Sequence, residues 1–133
     1  MVLLVALLLS NTPAPLRVIL TGVDAARGGT ITCALFDAPA GFPMDSSKSR
    51  LFVKARQQNG AWSCEFAAPA GVYAVSVAHD ANDNGKVDTN LFGVPTEAWG
   101  TSRDVVPLLR APTFDESKVT LSSEAPLSIK VHP

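Results

Sequence analysis

From Val72 to Ala78 large and small residues alternate, with Tyr73, Val75 and Val77 on one face and Ala74, Ser76 and Ala78 on the other, and a period of two marks a strand. The same signal recurs along the chain. Leu16, Val18 and Leu20 alternate with Arg17, Ile19 and Thr21; Ala25 to Gly29 turns the chain; Thr30 to Phe36 follows. After Asp37 a loop rich in Pro, Gly, Ser and Ala runs to near Lys48. Leu51 to Gln57 and Ala61 to Phe66 flank Asn59-Gly60, a pair that favours the type I′ turn of a tight hairpin. Pro69-Ala70-Gly71 leads into the Val72 strand, and Lys118 to Leu121 and Leu127 to Val131 close the pattern around Glu124-Ala125-Pro126. About seven short strands with turn punctuation and almost no helical period predict an all-β chain, a single antiparallel β-sandwich. One long loop is expected after the central strand, because between Asp80 and about Pro112 only the apolar stretch Val105 to Leu109 interrupts irregular sequence.

A length of 133 residues fits one domain with a real core, and with a formal net charge of -1 nothing points to a nucleic-acid footprint. Lys48, Arg50, Lys54 and Arg56 come closest to a basic group, and their alternate spacing suits the wet face of a strand. Val2 to Leu9 is an unbroken apolar run, too short to span a bilayer but of the length of a signal-peptide core. Residues 1–14 therefore read as a signal peptide and 15–133 as the mature domain, secreted or periplasmic. The positive flank is missing, so either the true start lies upstream or the amino terminus alone supplies the charge; a buried first strand is the alternative.

Cys33 and Cys64 are the two cysteines, and both lie in strand-like contexts beside large apolar residues at alternate positions, Ile31 and Leu35 for one and Trp62 and Phe66 for the other. Both sulfurs are expected in the core. In an exported chain they form a disulfide or remain two inert thiols; without a CxxC pattern or a nearby base, catalytic use is not expected.

The acidic stretch after the central strand has a spacing of its own. Asp80, Asn82, Asn84, Gly85 and Asp88 occupy the first, third, fifth, sixth and ninth positions of the twelve-residue calcium loop, with the Lys86 carbonyl as a further oxygen donor. The twelfth position, where a bidentate Glu normally closes the shell, holds Leu91. Glu97 is expected to fill that gap if its loop folds back, and otherwise to remain an exposed acid. A simple turn selects Asn-Gly as well, yet Asp80, Asp83 and Asp88 within nine residues repel one another without a counter-ion. His79 is either a ligand or a packed imidazole, and a histidine-based zinc site finds no partner besides His132.

The run from Pro69 to Ser102 carries a longer pattern: a G-x-Y-A strand at Gly71 to Ala74, then H-D-x-N-x-N-G-x-x-D-T-N from His79, then F-G-x-P-x-E-x-W-G-T-S from Phe92. It resembles the bacterial exported family catalogued as domain of unknown function 2141, with weaker similarity through Val18 to Gly22, Ala34-Leu35-Phe36 and the final strand. The resemblance implies a small immunoglobulin- or transthyretin-like sandwich in the bacterial envelope and carries over no activity. The cysteines are not part of the family pattern.

These residues support three functional readings. The leading one is an exported binding or structural module, not an enzyme, whose acidic loop takes calcium. The second is an adhesion or ligand-recognition domain in which Phe92 and Trp99 present a contact surface to a protein or glycan of the cell envelope, although Trp99 also suits the role of loop anchor. A metal-dependent hydrolase is third, since no nucleophile stands beside a base in the sequence.

Overall fold

The computed structural model describes residues 14–84 and 97–133. Among them are nine strands: β1 (Leu16–Thr21), β2 (Thr30–Phe36), β3 (Leu51–Lys54), β4 (Arg56–Gln58), β5 (Ala61–Phe66), β6 (Gly71–Asp80), β7 (Trp99–Thr101), β8 (Val119–Leu121) and β9 (Leu127–Lys130). One sheet has the order β4-β5-β1-β9, the other β3-β2-β6-β7, with β8 paired to a separate stretch of β6. The alternation read from sequence decides which side of each sheet is packed. Val18 and Leu20 of β1, Phe66 of β5 and Ile129 of β9 meet Ile31 and Leu35 of β2 and Tyr73, Val75 and Val77 of β6 in one buried apolar cluster.

The Asn59-Gly60 hairpin forms as its residues dictate. Asn59 has φ 52° and Gly60 φ 80°, and Gln58 pairs with Ala61 across the turn. Cys33 and Cys64 are joined by a disulfide with a Cα–Cα distance of 6.4 Å, and the bond ties β2 of one sheet to β5 of the other. Among the described residues no helix is long and apolar enough to cross a membrane.

Three expectations need correction. The pairing is not wholly antiparallel, because β9 runs parallel to β1, with Val18 opposite Leu127 and Leu20 opposite Ile129. Alternation specifies which side chains face inward but not the direction of the neighbour, and β9 reaches β1 after β8 has paired in the other sheet. The Leu51 to Gln57 run is not one strand. It breaks at Ala55, whose amide donates to the Ile31 carbonyl at 2.8 Å, and the two halves belong to different sheets. The span from Asp80 to Pro112 also contains regular structure, since β7 lies within it and pairs with Ser76 to Ala78 of β6.

The outward side of the five-stranded sheet is partly covered. Phe36 at the end of β2 is fully buried, with the Phe42 ring edge-on at 5.2 Å, and Phe114 continues the stack at 6.1 Å from Phe42. Phe114 opens α1 (Phe114–Ser117), a one-turn helix held by a capping box between Thr113 and Glu116. The Asp37 to Lys48 loop thus lies over one end of this face and leaves the other end open.

Candidate functional site

β6 delivers His79 and Asp80 to opposite sides of the sheet, as consecutive strand residues must be. His79 is 2% exposed, and its Nε2 lies 2.6 Å from the Gly28 carbonyl. A carbonyl only accepts, so Nε2 carries the proton and donates; Nδ1 is buried without a partner among the described residues. The imidazole is therefore a packed side chain on the core side and does not join the carboxylates. Behind it Gly29 (φ 73°) is required, because a β-carbon there would collide with the backbone of Asp80 and Ala81.

The described half of the acidic stretch curls onto itself. The Asn84 amide donates to Asp80 Oδ1 and to Asn82 Oδ1, each at 3.2 Å, so the oxygens of the first and third positions converge on one point. Asp83, at φ 52°, directs its carboxylate elsewhere and accepts from the Thr30 hydroxyl at 2.7 Å, which fastens the turn to β2. Glu97 returns to the same place: its Oε2 accepts from the Ala81 amide at 2.9 Å. Asp80, Asn82, Asn84 and Glu97 thus come together at the end of β6. Lys86, Asp88 and Phe92 lie outside the described residues, as do residues 1–13 of the expected signal segment. Among the described residues no three His, Cys, Asp or Glu side chains are grouped as metal ligands would be.

Trp99 is not an exposed contact residue. At 8% exposure it is buried on β7, its amide donates to the His132 carbonyl at 2.9 Å, and the His132 amide donates back at 2.7 Å. The indole anchors the returning loop, and the His132 ring beside it pairs with the Asp104 carboxylate at 2.5 Å.

A feature that sequence reasoning missed borders the turn. Among the described residues a groove of about 630 Å³ opens on the five-stranded sheet, floored by Thr32, Ala34, Ser76 and Ala78 and reaching Asp80 and Asp83 at one end. Its rim includes Asp45, whose carboxyl is held below its ordinary value of 3.8 by the Ser47 hydroxyl and then by the Ser47 amide. The signal was present as a run of small residues at alternate positions on two strands, which sequence alone assigns to no particular face.

The fold and site together define a small, mostly β, two-sheet protein crossed by a disulfide, with an acidic turn at the end of its longest strand. The chain belongs to the family described as "Uncharacterized protein conserved in bacteria (DUF2141)", whose model matches residues 18–129. No curated protein and no solved structure matches the chain.

Proposed function

We propose that this chain is an exported, non-catalytic binding or structural module whose acidic turn is ordered by calcium. The observation that supports this reading best is the contact of Glu97 with the Ala81 amide, which brings a carboxylate from the returning loop to the turn whose twelfth position lacks one. Asp80, Asn82, Asn84 and Asp88 with the Lys86 carbonyl supply the oxygens, and Glu97 completes them. A hard cation prefers such neutral and anionic oxygens, and the small number of charged ligands sets a weak affinity, on the order of 0.1 to 1 mM. The disulfide supports an oxidising compartment outside the cytosol.

Titration calorimetry with calcium, magnesium and zinc in turn is the test. Calcium is expected to bind in the stated range and Asp80→Ala to abolish it. Equal binding by that variant, or no heat at several-millimolar calcium, rejects the reading. Amide exchange with and without chelator adds the location: protection should change near the turn and leave the inner strands as they were.

A further inference from the structure

We propose that the groove on the outer face of the five-stranded sheet binds a neutral saccharide of about two linked rings, independently of any ion in the acidic turn. Register sets its layout. Lys54, Thr32 and Ala78 form one cross-strand row and Phe52, Ala34 and Ser76 the next, so a flat floor of small side chains is flanked at the β3 edge by one aromatic ring and one ammonium. The volume of about 630 Å³ is that of a small-molecule site.

The lining selects among ligand classes. An extended peptide recognised as an added strand needs unpaired main-chain groups, and the floor has none to offer, because β2 lies between β3 and β6, and β6 between β2 and β7. Among the described lining residues an anion meets Asp45, Asp80 and Asp83 against the single cation of Lys54. A wholly apolar ligand would cover the hydroxyls of Thr32 and Ser76 without giving them partners. What remains is a molecule carrying donors and acceptors close together around an apolar face. A pyranose has both: its hydroxyls match the Thr, Ser, Lys and Asp groups, and its C–H face suits Phe52, which is 52% exposed beside the floor.

Amide NMR of the ¹⁵N-labelled mature domain, in EDTA, with cellobiose, maltose and diacetylchitobiose as separate probes tests this. At least one disaccharide should shift Thr32, Phe52, Ser76 and Ala78. Phe52→Ala and Thr32→Trp, the second filling the floor, should weaken binding by about tenfold or more. Phe52→Tyr, which keeps the ring, should bind as the parent does, and so should Arg17→Ala on the other sheet; a thermal melt establishes that each variant is folded. The proposal is overturned if none of the three sugars produces shifts at tens of millimolar, or if Thr32→Trp binds undiminished. It is equally overturned if spermidine alone shifts the groove, through Asp80 and Asp83. Because calcium is absent throughout, failure of the calcium reading leaves this result intact, and the reverse holds too.

Discussion

The two faces of β6 differ in kind although one strand makes both. On the inner side Tyr73, Val75 and Val77 pack large apolar groups against the opposite sheet, and the disulfide crosses beside Val77, which pairs with Cys33. On the outer side Ala74, Ser76 and Ala78 are small; Ala74 is fully buried where it lies opposite Phe36, while Ser76 and Ala78 floor the groove. The inner face is closed by another layer of sheet. Among the described residues the outer face is covered where Phe42 of the Asp37 to Lys48 loop reaches Phe36 and is grooved beyond it, so small residues there mark either a tightly covered site or an open one. The difference teaches that alternation separates two faces without saying which of them is solvent.

The largest effect expected is on the inner face. Replacing Cys33 and Cys64 together by Ala should lower unfolding free energy by roughly 3 to 4 kcal/mol, given the loop that the bond closes, as measured by urea denaturation. A loss below about 1 kcal/mol would mean that apolar packing alone fixes the two sheets together. Next come adjacent residues of β2 that point to opposite sides. Leu35→Ala on the inner side and Phe36→Ala on the outer should each cost about 3 kcal/mol, because both are fully buried. If Phe36→Ala proves nearly neutral, the Phe42 cover is loose and the outer face has no second core. Ser76→Val, on the groove floor, should change stability by less than about 0.5 kcal/mol. A larger penalty would show that the floor is more tightly packed than its partial exposure indicates.

The smallest effect lies at the rim of the covered region, where Arg110 and Glu116 pair at 2.6 Å beside α1. The Arg110 hydrogen bond, followed by that of the Thr113 amide, lowers the Glu116 pKa from 4.5 to about 2. A carboxylate depressed in the folded state stabilises above its ordinary value and loses that contribution as pH falls through the folded one, so this cap should weaken between about pH 4.5 and pH 2. Carboxyl NMR titration should show the low value in the parent chain and a return toward 4.5 in Arg110→Ala. An unchanged titration would assign the depression to the Thr113 amide.

Much of the two-sheet plan was readable from local pattern. The strands, the Asn59-Gly60 turn and the inward cysteines follow from period and turn chemistry that act within a few residues. The return of Glu97 to the Ala81 amide was only half legible, because its sequence context left a fold-back and an exposed loop acid both open. The break at Ala55 was not, since both halves alternate and a sheet switch depends on distant partners. Nor was the parallel β9. The helix α1 with its Thr113–Glu116 capping box was not read either, because one turn is too short to show a helical period. The Phe36–Phe42–Phe114 stack joins residues far apart in sequence, and no short-range pattern predicts such a contact.

The parallel pairing of β1 with β9 has a mechanical consequence. In parallel neighbours, tension applied at the leading end of β1 and the trailing end of β9 slides one strand along the other, so every hydrogen bond between them is strained at once instead of opening in turn. A pull between these strands is thus resisted collectively along the whole length of the pair. If this module is held at both ends in the envelope, β1 and β9 form the clamp that would carry the load, and the rate of forced unfolding would be set there.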